Sequence, residues 1–344
     1  MPEPLPKHVR IWLWSIWALV LMMVIVGGTT RLTGSGLSMV EWHPLMGVLP
    51  PLTAADWDAV FERYKAFPQY QQVNHWMGLA DFKRIFFWEY VHRLLGRVLG
   101  LAFFIPWLVF VSRGQLRGRW AVRTLVALCL GGAQGLLGWY MVRSGLIDRP
   151  EVSHFRLAAH LSLAFIAGLW VLWLALDAAG EGAPLDAQAR AASTALRPAA
   201  WGLVALTSMQ VVLGAFMAGT RAGLVSRTFP DMNGHYGPGP FFTGPSVIDD
   251  ALNNPLAIHW LHRAFAWIVL GAGIAVYVRA RALGVPLFRT RALGVVHVLG
   301  AQFALGVATV MLQVSPPVAV AHQACGYLLM SAALRLCHGL RTRA

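Results

Sequence analysis

Charge is scarce in this chain and unevenly signed. Only 12% of its 344 residues are charged, against 57% hydrophobic. No soluble core could bury that apolar surplus, so a bilayer must be part of its solvent. Acidic residues are few, 15 against 28 basic ones, which leaves a net charge of +13. An excess of this size can mark a nucleic-acid binder, but its distribution excludes that class. Arg113, Arg117, Arg119 and Arg123 crowd one short link, Arg279, Arg281, Arg289 and Arg291 another, and Arg341 and Arg343 the tail. This is how short cytoplasmic loops of membrane proteins collect basic residues. Lys7 and Arg10 place the N-terminus on the same side. Cysteine is rare, and Cys129, Cys325 and Cys337 fall within apolar runs, so the connecting segments have no disulfide framework. A small-residue cleavage site is also missing after the first apolar run, which therefore reads as a retained helix with no transit peptide before it. The expected location is a bacterial inner (plasma) membrane, multi-pass, with both termini cytoplasmic.

A spanning helix needs about 20 mostly apolar residues. Eight stretches qualify, at about 11–30, 86–111, 122–142, 157–177, 199–218, 257–278, 292–313 and 319–337. The segments 31–85 and 219–256 then face outward. They hold Glu41, Asp56, Asp58, Glu62, Asp81, Asp231, Asp249 and Asp250, and are rich in Pro, Gly and aromatic residues (WHPLMGVLPPL at 42–52, HYGPGPFFTGP at 235–245). Such loops are long enough to cover the outer face as lids.

The chain repeats itself with a period near 170 residues. GSGL at 34–37 matches RAGL at 221–224, and Gln134-Gly135-Leu136-Leu137-Gly138 matches Gln302-Phe303-Ala304-Leu305-Gly306. An even number of helices per half makes the repeat parallel, related by an axis along the membrane normal. The expected fold class is an all-α polytopic membrane protein, its eight transmembrane helices arranged as two pseudo-symmetric four-helix bundles. The N-terminal bundle takes residues 1–180, a cytoplasmic linker 181–198, and the C-terminal bundle 199–344.

Within that repeat stand four histidines. Glu89-Tyr90-Val91-His92-Arg93 is echoed by His259-Trp260-Leu261-His262-Arg263, and His160 in AAHLSLAF by His322 in VAHQACGYLL. An ionisable side chain inside a bilayer marks a functional site by default. The members of each pair, 68 residues apart in the first half and 60 in the second, fall at similar depth near the outer leaflet, within two turns of their helix ends. Two imidazoles on facing helices of a bundle suit a planar cofactor clamped between them, and haem is the obvious candidate. There is no CxxCH, so any haem is held without thioether attachment. Arg93 and Arg263 can pair with haem propionates, or equally lie as interfacial snorkelling residues. His154 is left open between a role at a substrate carboxylate and a surface position. His8, His43, His75, His235, His297 and His338 have no matching repeat frame.

The halves differ at one position. Glu89 stands three residues before His92 where His259 stands before His262, and residues three apart share a helix face. A carboxylate beside one site can take up or deliver protons, whereas a second imidazole supports ligation or electron transfer. This points to a catalytic first half and a resident haem in the second, unless Glu89 only pairs with Arg93 four residues on.

These residues resemble the heme A synthase family, in its proteobacterial and mitochondrial branch. The likeness is carried by GGTTRLTGSGLSMVEWHPLMGVLPPL (27–52), EYVHRLLGRVLG (89–100), FRLAAHLSLAF (155–165), RAGLVSRTFPDMNG (221–234), HRAFAW (262–267) and VAHQACGYLL (320–329). It covers nearly the whole chain outside the linker and termini. The resemblance implies an oxygen-dependent reaction on the C8 methyl of heme O, in which two hydroxylations give a geminal diol that loses water to leave the formyl group of heme A. It implies iron ligation by His92 with His160 and by His262 with His322, a heme b in the C-terminal half, heme O as substrate in the N-terminal half, and catalysis involving Glu89. It further implies heme O synthase and a heme A-containing terminal oxidase as partners, with an electron donor that it does not name. Some members carry a cysteine pair in an outer loop. This chain has none there, which excludes a thiol relay. The rival readings are a di-haem b-type cytochrome, which predicts two equivalent haems and no haem product, and a haem carrier or chaperone. Against a carrier, matched Gly/Pro-interrupted helices at the midplane are missing.

The topology has a direct check. Alkaline phosphatase joined within 49–78 or 225–246 should be active outside the cell membrane, and the same enzyme joined after Arg117 or Leu283 should be inactive.

Overall fold

A computed structural model describes residues 5–41, 49–147, 150–181 and 185–341. Residues 42–48 of the first outer loop, with His43, and Arg343 of the tail lie outside them. Ten α-helices form: α1 (Lys7–Leu32), α2 (Ala54–Lys65), α3 (Leu79–Ser112), α4 (Arg119–Arg143), α5 (His154–Ala178), α6 (Ala187–Gly219), α7 (Val247–Asn253), α8 (Pro255–Ala282), α9 (Pro286–Met311) and α10 (Pro316–Gly339). All but α2 and α7 are long and apolar enough to cross a membrane, with mean hydropathy from 1.2 to 2.2 over their best windows. No strand occurs among the described residues.

Helix ends follow local chemistry. Proline opens α8, α9 and α10, where its missing N–H has no intrahelical partner in any case. The Asn254 side chain caps α8 by accepting from Leu256 N at 3.0 Å. In α2 the cap is reciprocal: Thr53 Oγ1 accepts from Asp56 N, and Asp56 accepts from Thr53 N. The stretch read from sequence as a linker is already helix from Ala187, because Asp186 caps it by accepting from Ala189 N at 2.7 Å. The alanines that follow favour continuation into the membrane-spanning part of α6.

Each half consists of two tightly packed antiparallel hairpins, α1 with α3 and α4 with α5, then α6 with α8 and α9 with α10. The halves meet through α1, α5, α6 and α10. At their centre Tyr327 of α10 lies between Trp17 of α1, its ring stacked 6.0 Å away, and Phe165 of α5, edge-on at 5.3 Å. Val20, Val24 and Met330 complete this seam. Polar tethers close it at both faces. On the inner side Asp177 of α5 accepts from Arg123 of α4 at 2.6 Å and pairs with His338 and Arg341 at the end of α10. Glu181 beside it pairs with Arg291 of α9 and Arg335 of α10, each at 3.0 Å. On the outer side Arg31 reaches Ala218 O, and Arg221 pairs with Glu151 at 2.7 Å.

The seam generates one expectation. A Cβ added at Gly168 of α5 would run into Tyr327 Oη and Val20 Cγ1. Gly168→Val should therefore cost about 1–3 kcal/mol of stability by overpacking, read as a lower unfolding temperature of the detergent-solubilised protein, while Gly202→Val, whose Cβ meets nothing within 4 Å, should change it little.

Candidate functional site

His92, His160, His262 and His322 stand on α3, α5, α8 and α10. The structure sets all four in one frame. Each imidazole lies against a glycine of its hairpin partner: His92 against Gly27 of α1, His160 against Gly138 of α4, His262 against Gly214 of α6 and His322 against Gly306 of α9. A Cβ on those glycines would stand 3.0–3.2 Å from the nearest ring atom, closer than side chains normally tolerate. Each glycine is the sixth residue from the C-terminal end of its helix. The four slots therefore share one depth.

The sequence reading put all four histidines within two turns of a helix end. That holds for α5, α8 and α10, but His92 lies about three and a half turns into α3. The extra turns of α3 carry Phe82, Ile85 and Phe86, which pack against Phe61 and Tyr64 of α2 above the site. The helix is longer because the first outer loop folds onto it.

Three of the four frames include a glutamine one turn before the glycine. Gln134 Nε2 donates to His160 O at 3.1 Å, and Gln210 Nε2 donates to His262 O at 3.0 Å. Gln302 O accepts from His322 Nδ1 at 3.2 Å. The same amide nitrogens come within 3.3–3.5 Å of the ring Nε2 atoms. The sequence analysis used Gln134, Gly138, Gln302 and Gly306 as markers of the repeat and missed their task. Their signal was the shared spacing Q-x-x-x-G, repeated once more at Gln210 and Gly214.

The fit to a haem can be judged from these atoms. The pairs His92 with His160 and His262 with His322 are within electrostatic range of each other. Their helices, α3 with α5 and α8 with α10, are separated by the hairpin partners rather than packed together. The Nδ1 atoms of His160 and His262 are buried without a hydrogen-bond partner, an arrangement costly unless something else rewards it. At His322 the Nδ1–H to carbonyl bond fixes the tautomer that leaves Nε2 as the ligating atom, the usual support of a metal-bound imidazole. The donor set suits a bis-imidazole haem in each half.

Glu89 is fully enclosed in a polar nest. Its Oε2 accepts from Ser38 Oγ and Met39 N, both at 2.8 Å, and its Oε1 pairs with Arg93 Nη2 at 2.6 Å. Arg93 also donates to the carbonyls of Met39 at 2.7 Å and Glu41 at 2.9 Å. The loop that supplies these groups is held from above. Gln69 Nε2 donates to Gly34 O, Tyr64 Oη donates to Gln69 Oε1, and Asn74 Nδ2 donates to Tyr64 Oη. Burial pushes the Tyr64 hydroxyl up to about 12, so it stays protonated at any working pH. In the second half His259 takes the place of Glu89, accepting from Arg263 Nε at 2.9 Å, while Arg263 donates to Asp231 O and Thr228 O. Both arginines thus pin their outer loop to the helix beneath it. A small cavity of about 70 Å³ opens beside Arg93, lined by Met39, Val40, Glu41, Trp139, Val142 and Arg143. His154, left open by the sequence, bonds Leu252 O at 3.0 Å and joins the two halves' outer segments.

Fold and site together define a multi-pass membrane protein of eight candidate spans, in which four histidines each lie against a glycine of a neighbouring helix and one of them has a buried carboxylate one helical turn before it. Residues 10–334 match the COX15-CtaA family model, described as cytochrome oxidase assembly protein, and the chain belongs to that family. It is similar to Heme A synthase of Nitrosospira multiformis, 44% identical with 97% of this chain and 94% of the relative covered. Heme A synthase of Sphingopyxis alaskensis is 42% identical, with 99% and 94% covered. That of Flavobacterium johnsoniae is 38% identical, with 97% and 98% covered.

The glycine slots make a prediction independent of turnover. Gly306→Val should push the His322 ring off its helix and lower the bound haem of the purified protein by half or more, read by pyridine haemochrome. Substituting Gly300, where a Cβ meets nothing within 4 Å, should leave haem content unchanged.

Proposed function

We propose that this chain is an oxidoreductase that converts heme O to heme A in the plasma membrane of a bacterium, for use in assembling a terminal oxidase. The substrate occupies the N-terminal half between His92 and His160, and a resident heme b the C-terminal half between His262 and His322. The observation that carries this division is the buried carboxylate of Glu89 standing where the second half has His259. A bound haem iron, supplied with electrons and molecular oxygen, provides the oxidising chemistry for two successive hydroxylations of a methyl group, after which loss of water leaves a formyl group.

The protein's own contribution is positional and protonic. His92 and His160 orient the substrate plane, while the hairpin glycines set the depth of both rings. Glu89 stands three residues before His92, about one helical turn away on the same face. Ser38 Oγ, Met39 N and Arg93 hold its two oxygens, and a carboxylate so placed can pass a proton between the site and the loop hydroxyls above it. Residues of α2 and the loop before it exclude water above, which raises the effect of every charge beneath. Arg93 and Arg263, at the outer rim of each site, hold loop carbonyls and are near enough to that surface to meet the propionates of a bound haem. Heme O synthase and the oxidase that receives heme A are the expected neighbours, and the electron donor must be a membrane or surface reductant.

Expression in membranes with a source of heme O, followed by extraction and mass analysis of the haems, tests this reading. Wild type should yield heme A or its hydroxylated precursor. Glu89→Ala should lose at least about 99% of product, on the scale of a lost acid–base group, while keeping the spectrum of heme b. Unmodified haem alone in wild type, despite oxygen and reductant, would leave a di-haem electron carrier as the better account.

A further inference from the structure

Helices α3 and α4 of the first half meet at two levels and part between them. Arg93, Gly100 and Trp107 follow one another at intervals of seven residues, so they share one face of α3. At the inner level Trp107 Nε1 donates to Thr124 Oγ1 of α4 at 3.0 Å. At the outer level Arg93 stands across the cavity of about 70 Å³ from Trp139, Val142 and Arg143 of α4. Gly100 lies midway. On α4, Gly131 comes seven residues after Thr124 and Gly135 seven before Val142, which puts both on the face turned to α3. A Cβ added at any of these three glycines would meet nothing within 4 Å, and all three are exposed. The wall of the bundle therefore has a window at mid-height.

The second half closes the same place. On the spacing that sets Gln302 and Gly306 against Gln134 and Gly138, Leu299 stands where Gly131 does and Phe303 where Gly135 does. On the spacing that sets His262 against His92, Leu270 stands where Gly100 does. Leu299 is buried against Gly273 of α8, where a Cβ would collide with it, and Leu270 packs on the same buried cluster. Phe303 meets Trp267 of α8 edge-on at 4.6 Å and Phe229 of the outer loop at 6.3 Å. Helices α8 and α9 are accordingly packed together closely, and α3 and α4 sparsely. Three apolar side chains fill in one half what three glycines leave open in the other.

We propose that the window between α3 and α4 seats the isoprenoid tail of heme O and is the lateral passage by which that haem enters from the bilayer and leaves after conversion. The proposal rests on the reading of the N-terminal half as the heme O site and adds to it where the tail lies. Heme O is an amphiphile, a ring with two carboxylates on one edge and a long hydrocarbon chain on another. The gap is graded in the same way, with Arg93 and Arg143 at its outer end and apolar, glycine-walled space below. The counterpart of Arg143 in the second half is Met311, so the second cation belongs to this half alone. The window also adjoins the histidine slot: Gly135 follows Gln134, which donates to His160 O, and Gly138 lies against the His160 ring. A chain that stays in lipid while its ring sits among helices needs an opening of this kind. Leu270, Leu299 and Phe303 deny one to the second half, which suits a haem that stays.

The test fills the window with the second half's own side chains. Purified protein with its C-terminal haem in place is titrated with heme O and, separately, with heme b, which lacks the tail, and Soret difference spectra give the Kd of each for the N-terminal site. Wild type should bind heme O at least as tightly as heme b. Gly131→Leu combined with Gly135→Phe should weaken heme O binding by about tenfold or more, the order of an overpacked contact, and leave heme b binding unchanged, while the C-terminal haem reports an intact fold. Gly135→Phe alone decides the matter where the double change does not fold. Heme O held as tightly in the filled protein as in wild type would mean that bilayer lipid and not the tail lies in the window, and would overturn the proposal. Equal loss of heme O and heme b would overturn it too, because the window would then bound the ring and not the tail. A wild type that takes up neither haem beyond the C-terminal one would overturn the reading of the first half, and the proposal with it.

Discussion

An imidazole can lie flat against a neighbouring helix only where that helix carries no side chain, and this steric condition organises the molecule. It is met four times, at Gly27, Gly138, Gly214 and Gly306. Close approach of two helices is favourable in a membrane, where packing and hydrogen bonds replace the hydrophobic drive that assembles soluble cores. The glycines do two things at once. They let each hairpin close tightly, and they hold each imidazole at a set depth, turned toward the space between hairpins.

The outer loops gain their meaning from that arrangement. In both halves an arginine one residue after the site histidine reaches up to carbonyls of the loop above, Met39 and Glu41 in one case, Thr228 and Asp231 in the other. The loops are therefore fastened to the helices that carry the ligands. Only in the first half does the fastening include a carboxylate, and there the loop that carries Ser38 and Met39 is held at Gly34 by Gln69, which Tyr64 and Asn74 support in turn. The two halves thus share a scaffold and differ in the residue before the histidine and in the loop that surrounds it.

The seam between halves serves the same end by a different route. Tyr327 and Phe165 occupy equivalent places in the repeat, five residues after His322 and His160, and they meet edge to face. Asp177 and Glu181 gather cations from α4, α9 and α10 on the inner side. Paired charges of this kind mainly specify which surfaces meet, and here they keep the two sites at a constant separation across the molecule.

Much of this was legible in the chain. Hydropathy gave the eight spans, because a helix must satisfy its own backbone inside lipid and so announces itself as a long apolar run. The two-fold repetition of the histidines, with Glu89 set against His259, was legible as spacing, and the fold stands each of the four repeated histidines against a glycine of a neighbouring helix. The partners of the histidines were not legible. That Gln134 reaches His160 O and that Gln210 reaches His262 O depends on which helices form hairpins and in what register, a matter of packing between segments far apart in sequence. The α2 lid was equally hidden, since Tyr64, Gln69 and Asn74 acquire a role only once they fold over Gly34. Sequence by itself determined the solvent and the repeat, because these follow from local composition and period. Tertiary structure decided which glycine and which loop stand against each histidine, because contacts across helices exist only after the glycines have let them touch.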